Sequence, residues 1–270
     1  MFSEIAQYFR TEVLPHIWCP GCGIGTVTAA FVRAIKNLQL DQNRVVVVSG
    51  IGCSSRMTGY LDFNTLHTTH GRALAFGTGL KLARPELDVF VVMGDGDCSA
   101  IGGNHLIHAA RRNIDLTALV INNSIYGMTG GQCSPLTPHD KRATTSPYGN
   151  LDRPFDLLEL ARAAGATYGA RATVYHNQLL TKLLVNAYNN PGFSVVEAIS
   201  QCPVSYGRRN KFKTPAEMVL WQKEHAVSSA RGELGGEDFR IGEIFKTQAP
   251  EFAAGYEKLR QRLRGGSSDG

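Results

Sequence analysis

The sequence has 270 residues, enough for one large domain or two small ones, and 43% of them are hydrophobic, as in a globular protein. The net charge of +5, without a dense basic tract interleaved with aromatic residues, gives no support to nucleic-acid binding, although a positive surplus suits an acidic partner or an anionic substrate. No apolar run approaches the roughly 20 residues that span a bilayer, and residues 1–10 lack the apolar core of a signal peptide. We therefore expect a soluble cytoplasmic protein that binds neither nucleic acid nor membrane.

Strand-like and helix-like patterns alternate along the chain. The β-branched run at residues 45–48 predicts a strand buried on both faces of a sheet, and residues 26–38 have the apolar spacing of a helix. In chain order, the other predicted elements are helices over 1–15 and 73–82, strands over 89–93 and 116–121, a helix over 155–164, a short strand over 166–170, a helix over 176–189 and a strand over 193–199. This alternation predicts an α/β fold with a doubly wound, mostly parallel sheet.

No clear boundary divides the chain before about residue 203. We expect residues 1–207 to form one domain and residues 208–270 to form a C-terminal extension, helical around 215–229 and 252–263, with a disordered tail over 265–270. Residues 128–150 are rich in Gly, Pro, Thr and Ser and have no period. A loop of that length in a compact domain is usually functional or covers a site.

Polar turns follow two strands of one predicted βαβ unit, at residues 94–97 and 122–127. In a parallel sheet both turns lie at the carboxyl ends of their strands, so Asp95 and Asn123 come close although they are 28 positions apart. A carboxylate, an amide oxygen and a free carbonyl suit a Mg²⁺ ion that also holds phosphate, and Gly94 and Gly96 let the backbone approach that phosphate. The alternative is an ordinary βαβ unit in which Asp95 caps a helix.

Four of the six cysteines, Cys19, Cys22, Cys53 and Cys202, fall at predicted turns. Cys19 and Cys22 form a Cys-x-x-Cys pair just before a helix, a position that favours thiolates. The other two follow predicted strands, so they lie on the same sheet edge as Asp95. In a cytoplasmic chain such cysteines are metal ligands, redox groups or core residues. Four thiolates suit a [4Fe–4S] cluster or a structural zinc ion, and spacing alone leaves both open.

Two sets of motifs resemble known families. Gly-Asp-Gly at 94–96, followed after twenty-five residues by Asn-Asn, resembles the thiamine-diphosphate motif of thiamine-dependent enzymes. Together with Cys-Pro-Gly-Cys-Gly at 19–23, Ile-Gly-Cys-Ser at 51–54, His-Gly-Arg at 70–72 and Thr-Gly-Gly-Gln at 129–132, it resembles the β subunit of 2-oxoacid:ferredoxin oxidoreductases. The match extends to about residue 210, and residues 202–211 look more like the 2-oxoglutarate group than the pyruvate group.

This resemblance implies thiamine diphosphate, Mg²⁺ and a [4Fe–4S] cluster as cofactors, in a thiamine-diphosphate-binding fold. Asp95, the Asn123 side chain and the Ile125 carbonyl would hold the Mg²⁺, and the cluster ligands would be Cys19, Cys22, Cys53 and Cys202. The residues that it places against thiamine diphosphate are Ile51, Gly52, Cys53, Ser54, His70, Gly94, Asp95, Gly96, Asp97, Asn123, Gly127 and Met128. Cys98 is expected to pack near the cofactor loop, and Cys133 has no assigned role.

The implied reaction is oxidative decarboxylation of 2-oxoglutarate to succinyl-CoA and CO₂, with coenzyme A as co-substrate, ferredoxin as electron acceptor, and the reverse direction also open. Thiamine enzymes need a second domain whose glutamate activates the aminopyrimidine ring. We find room here for the diphosphate-binding domain only. An α subunit is therefore expected to carry that glutamate, in an (αβ)₂ assembly, and no catalytic residue is assigned to this chain.

Other interpretations stay open. Pyruvate, or a broad range of 2-oxoacids, is the next substrate class. A non-redox thiamine enzyme with structural zinc would not need four turn cysteines, and a zinc-stabilised binding module would leave Asp95 and Asn123 without a role. The basic cluster at residues 208–213 is typical of a solvated face, but it could also meet an acidic ferredoxin or the partner chain.

Overall fold

The computed structural model describes residues 4–230 and 233–265 and contains one eight-stranded sheet with helices on both faces. The strands are β1 Val45–Ser49, β2 Asn64–His67, β3 Asp88–Gly94, β4 Thr117–Asn122, β5 Tyr168–Thr173, β6 Ser194–Ile199, β7 Ala226–Ser228 and β8 Phe239–Lys246. The helices are α1 Ile24–Leu38, α2 Met57–Tyr60, α3 Ala73–Ala83, α4 Gly103–Arg111, α5 Leu157–Ala164, α6 Asn177–Tyr188, α7 Pro215–His225 and α8 Phe252–Gly265.

The strand order is β2-β1-β3-β4-β6-β5-β8-β7, and the first six strands in that order are parallel. Alternate residues of each central strand face opposite layers. Val45 and Val47 pack in the core that contains α1 and α6, whereas Val46 and Val48 pack in the core that contains α3, α4 and α5. The sheet is therefore covered on both sides, which explains its continuous apolar strands. The predicted doubly wound, mostly parallel fold is confirmed.

The chain ends differ from the sequence expectations. Within the predicted N-terminal helix, residues 4–15 form only two short 3₁₀ turns, Ala6–Tyr8 and Thr11–Val13, because Phe9 makes an antiparallel bridge to Leu61 instead of continuing a helix. Edge strand β2 has no counterpart in the predicted elements, and its residues are only partly buried.

The C-terminal extension contains strands as well as helices. The two expected helices are present, but α7 ends at His225 because the next residues form β7, which pairs with β8. β8 in turn pairs antiparallel with β5, so the extension lengthens the main sheet. Gly265 closes α8, and the rest of the expected disordered tail lies outside the described residues.

A buried ionic network ties β5 and β6 together. Arg171 lies opposite Glu197 in the strand register, and its Nε is 2.6 Å from Glu197 Oε2. The same guanidinium reaches Asp156 Oδ1 at 3.0 Å, and Asn122 donates to Glu197 Oε1 at 2.7 Å. Glu197 is only 2% exposed and Arg171 only 8% exposed. Each buried charge therefore depends on the other for compensation.

We expect Glu197→Ala to lower the free energy of unfolding by about 3 kcal/mol, since it leaves the Arg171 guanidinium buried with a single carboxylate partner. Urea unfolding followed by circular dichroism measures this change. The matched control is Glu257→Ala, which removes a surface ion pair with Arg260 and should cost less than about 0.5 kcal/mol. Equal losses in the two variants would contradict the role of the network.

Candidate functional site

Four turns meet at the carboxyl ends of β1, β3, β4 and β6, on one edge of the sheet. Three of them, together with the turn after β2 that carries His70, line a cavity of 250 Å³. The lining includes every residue predicted to contact thiamine diphosphate, and also Ile125, Tyr126 and Thr129. Tyr126 explains why residue 96 is glycine, because a Cβ there would lie 2.2 Å from the tyrosine ring. Residues from four separate parts of the sequence thus converge as the parallel topology predicts.

Three oxygen-bearing groups meet at the floor of this cavity. One of the two terminal atoms of the Asn123 side-chain amide lies 2.7 Å from the Ile125 carbonyl oxygen and 3.3 Å from Asp95 Oδ1. With one orientation of the amide its nitrogen donates to both oxygens, and with the other orientation three oxygens face one another. A convergence of carboxylate, amide and carbonyl oxygens is the donor set that Mg²⁺ prefers. The residues predicted to hold the metal therefore fit a magnesium ion.

Ser134 is a site residue that the sequence interpretation missed. Its hydroxyl donates to Asp95 Oδ2, which leaves Oδ1 turned toward Asn123. Its backbone N–H donates to Thr137 Oγ1 at 2.8 Å, and the Thr137 hydroxyl donates to the Ser124 carbonyl at 2.7 Å. Through these hydrogen bonds, the long loop over residues 128–150 holds Asp95 and the neighbouring turn in position at the candidate metal site. The only signal for this in the sequence was the length and composition of the loop.

Burial raises the pKa of Asp95 from 3.8 to about 7, against the opposing effect of its hydrogen bonds, the Ser134 contact first among them. The carboxyl group is 3% exposed. Burial also raises the pKa of Asp97. Since an ionised carboxylate is costly to bury without a counter-charge, a cation beside Asp95 would offset the cost of its burial.

His70 stands beside Asp97 in the cavity wall. Its Nδ1 lies 2.7 Å from Asp97 Oδ1, and the same carboxylate oxygen accepts the Gly71 N–H at 2.6 Å. Asp97 thus fixes the histidine and the turn that carries it. An imidazole held in this way, with its ring partly exposed, is suited to an anionic group such as a diphosphate.

The four turn cysteines form a second cluster beside the cavity. Burial, together with smaller effects from the neighbouring sulfurs of Cys202, Cys53 and Cys19, raises the pKa of Cys22 to about 12. Burial, with smaller effects from Cys202 and Cys19, likewise raises the pKa of Cys53 to about 11. Such mutual electrostatic effects require the four sulfurs to be near neighbours.

The backbone around the cysteines is tied together by hydrogen bonds. The Gln201 side chain donates to the Gly21 carbonyl at 3.0 Å, and the Gly23 N–H donates to the Gln201 carbonyl at 3.3 Å. These bonds join the Cys19–Cys22 turn to the end of β6, where Cys202 lies. Trp18 Nε1 donates to the Cys53 carbonyl at 2.7 Å, which fixes the turn after β1 to the same group.

The four cysteines leave the kind of metal centre open. In residues 4–230 and 233–265, no group of three or more His, Cys, Asp or Glu side chains is arranged around a single metal-ion position. Four thiolates suit either a [4Fe–4S] cluster or a structural zinc ion.

The remaining cysteines lie apart from this group. Cys98 is fully buried in the core, one residue beyond Asp97 in the cofactor loop. Cys133 lies in the long loop, where its Sγ is 3.3 Å from Ser146 Oγ. A further cavity of 540 Å³ lies between the ends of β4, β5 and β6 and the C-terminal extension. It shares Asn123 with the cofactor cavity, and none of the turn cysteines lines it.

Comparison with known proteins agrees with this geometry. Residues 50–198 match the family model described as thiamine pyrophosphate enzyme, C-terminal TPP binding domain. The 2-oxoglutarate synthase subunit KorB of Archaeoglobus fulgidus is 53% identical, over 99% of this chain and 98% of that protein. The subunit of the same name from Methanocaldococcus jannaschii is 48% identical, over 96% of this chain and 97% of that protein. The chain belongs to the family of 2-oxoacid:ferredoxin oxidoreductase β subunits.

A solved structure supports the same family. The 2-oxoglutarate:ferredoxin oxidoreductase from Magnetococcus marinus, with 2-oxoglutarate, coenzyme A and succinyl-CoA bound, superposes with a TM-score of 0.85 at 34% identity, over 96% of this chain and 90% of that chain. The predicted resemblance of the β subunit to the 2-oxoglutarate group is therefore confirmed. Among the described residues, no helix has both the length and the apolar character needed to cross a membrane.

We expect Asp95→Asn to change the pH dependence of stability in metal-free protein. An aspartate whose pKa is raised on folding makes the free energy of unfolding fall as pH rises from about 4 to about 7. Between about pH 5 and about pH 8 the variant should therefore gain stability relative to the wild type, on the order of 3 kcal/mol.

Urea unfolding in the presence of a chelator, repeated across this pH range, measures the effect. The exposed carboxylate of Asp152 provides the control, because Asp152→Asn should follow the wild-type pH profile. If the stability difference between Asp95→Asn and wild type did not vary with pH, the buried carboxylate would not titrate as its environment requires.

Proposed function

We propose that this chain is the β subunit of a coenzyme A-acylating 2-oxoglutarate:ferredoxin oxidoreductase, and that it binds thiamine diphosphate, Mg²⁺ and a [4Fe–4S] cluster. One observation carries the proposal: the cofactor cavity and the cysteine group share a wall. Cys53 lines the cavity and belongs to the cysteine group. A Cβ on Gly127, another lining residue, would lie 3.5 Å from Cys53 Sγ and 3.6 Å from Cys202 Sγ. Electrons released in the cavity would have a short path to the cluster.

Different side chains would bind the Mg²⁺ ion and the diphosphate of the cofactor. Asp95, Asn123 and the Ile125 carbonyl would bind Mg²⁺, and Ser134 holds Asp95 in the orientation that this requires. His70, fixed by Asp97, would face the diphosphate. Gly96 lets the backbone approach it. Thiamine, when bound, supplies the decarboxylation chemistry, and the protein supplies position and electrostatics.

An α subunit is part of the proposal, in an (αβ)₂ assembly. Among the described residues that line the cavity, the only carboxylates are Asp95, at the candidate metal site, and Asp97, which is engaged by His70 and the Gly71 N–H. The glutamate that activates the thiamine ring would therefore come from the partner. Ile51 and Met128 in the cavity wall, and Ile101 beside Gly71, are more than 40% exposed. Such clustered apolar exposure favours a covering protein surface.

The substrates and the compartment follow from the same proposal. 2-Oxoglutarate is named in the A. fulgidus and M. jannaschii relatives, and the M. marinus structure holds 2-oxoglutarate, coenzyme A and succinyl-CoA. None of the six cysteines forms a disulfide bond, which fits a reducing compartment such as the cytoplasm.

We expect Cys22→Ser and Cys202→Ser each to abolish cluster binding, because each removes one thiolate ligand. The wild-type αβ complex should be brown, contain about four irons per β chain and give an EPR signal on reduction, and the variants should lose all three properties. Cys133→Ser is the matched control and should retain them. A colourless wild-type protein with one zinc per chain would overturn the cluster assignment.

A substrate panel tests the preference for 2-oxoglutarate. With coenzyme A and a viologen acceptor, kcat/KM of the αβ complex for 2-oxoglutarate should exceed that for pyruvate by at least about tenfold, the effect of 1.4 kcal/mol of differential binding. A dicarboxylate site achieves this because a cation is left unpaired when the distal carboxylate is missing. Equal values for the two acids would show a broad-range enzyme instead.

A further inference from the structure

A basic groove of 770 Å³ opens on the surface beside the cysteine group. Its walls come from the turn at Gly127 and Gly130, from residues 142–147 of the long loop, and from residues 204–209. Three arginines, Arg142, Arg208 and Arg209, line it, and no carboxylate does. All three are exposed. We call this surface the basic groove.

The charges of the basic groove are not neutralised. Within the part of the chain that the structure describes, none of its three arginines forms an ion pair with a carboxylate, whereas the adjacent Lys141 pairs with Glu237 at 2.6 Å. The backbone of Arg142 is held in place by Asn210, whose side chain accepts from the Arg142 N–H at 2.8 Å and donates to its carbonyl at 3.1 Å. A rigid wall with three uncompensated guanidinium groups creates a local positive potential.

The basic groove lies beside two of the sulfurs. Gly127 lines both the groove and the cofactor cavity, and a Cβ added to it would lie 3.5 Å from Cys53 Sγ and 3.6 Å from Cys202 Sγ. A second concavity shares Val204 and Arg208 with the groove and adds Lys213 and Pro20 of the Cys19–Cys22 turn. Basic residues therefore line both concavities next to the cysteine group.

This composition favours a transient partner over the α subunit. Interfaces of permanent complexes are apolar and poor in charge at their centre, whereas unpaired charges around a small contact area speed encounters and allow release. The exposed apolar residues Ile51 and Met128 lie instead in the wall of the cofactor cavity, where we place the α subunit.

We propose that the basic groove is the docking surface for an acidic ferredoxin-type iron–sulfur protein, which takes electrons from the cluster through the wall formed by Gly127. This inference rests on the proposed function. Oxidation of one 2-oxoglutarate dianion with coenzyme A gives succinyl-CoA, CO₂, one proton and two electrons. Two oxidised ferredoxin clusters each accept one of these electrons, and the reduced ferredoxins then leave.

The test uses the reconstituted αβ complex, 2-oxoglutarate, coenzyme A and a purified acidic [4Fe–4S] ferredoxin. The double variant Arg208→Glu/Arg209→Glu reverses two charges of the groove. At low ionic strength its kcat/KM for ferredoxin should fall by about 10- to 100-fold, since steering by complementary charge contributes a factor of this size. The dependence of kcat/KM on salt should weaken or change sign. Reduction of a small viologen dye, which needs no docking surface, should continue at the wild-type rate.

The matched control is Arg111→Glu/Arg112→Glu, which reverses an exposed arginine pair where α4 ends, before β4 begins at the opposite edge of the sheet. It should leave both ferredoxin and viologen reduction unchanged. An unchanged kcat/KM for ferredoxin in the groove variant would refute the inference. Loss of the α subunit on gel filtration would identify the groove as the subunit interface, and an equal loss of viologen activity would assign it to substrate binding. Both results would refute ferredoxin docking.

Results with the wild-type complex test the proposed function separately from the docking inference. If the wild-type complex held no cluster, or showed no 2-oxoglutarate-dependent viologen reduction, the proposed function would fail before any variant was measured. If the wild type reduces viologen and ferredoxin normally and only the groove variant behaves unexpectedly, the docking inference alone is wrong.

Discussion

The buried carboxylate of Asp95 is the constraint on which the site depends. A negative charge at 3% exposure is unfavourable unless something compensates it. Here the Ser134 hydroxyl donates a hydrogen bond to one of the two carboxylate oxygens, Oδ2. The other faces the Asn123 amide and the Ile125 carbonyl. The fold thus brings a carboxylate, an amide and a carbonyl group together around one point, where a cation would offset the buried charge. Hydrogen bonds from a loop without regular structure help to hold this arrangement.

The parallel sheet explains how so small a region collects so many functional groups. Every parallel strand ends at the same edge, so the turns after β1, β3, β4 and β6 are neighbours in space. Each turn contributes a different chemistry: a sulfur and a glycine-rich wall after β1, carboxylates after β3, amide and carbonyl oxygens after β4, and another sulfur after β6. Because the strands are buried on both faces, close packing in the core fixes the positions from which these turns begin.

The parts of this arrangement that follow from local pattern could be predicted from the sequence. Long β-branched and apolar runs mark the central strands, and the shared edge of a parallel sheet then brings Asp95, Asn123 and Cys53 together. β2 could not be found in this way, because an edge strand that is only half buried carries no apolar run. β8 lies in a polar extension, and its place beside β5 is decided by tertiary pairing. The contact between Ser134 and Asp95 joins residues 39 positions apart. Ser134 lies in an irregular loop whose sequence has no periodicity from which such a contact could be predicted.

Cys53 belongs to both the cofactor cavity and the cysteine group, and this has a thermodynamic consequence. Its backbone and side chain form part of the cofactor cavity while its sulfur lies in the cysteine group. A metal centre that tied that sulfur to the Cys202 side of the molecule would also fix one wall of the cavity, so occupancy of the two places would be linked. Linkage is reciprocal: a group at the cysteines that improves binding in the cavity is itself bound more tightly, by the same factor, when the cavity is filled. The order in which the two centres are loaded therefore affects the path of assembly but not its end point.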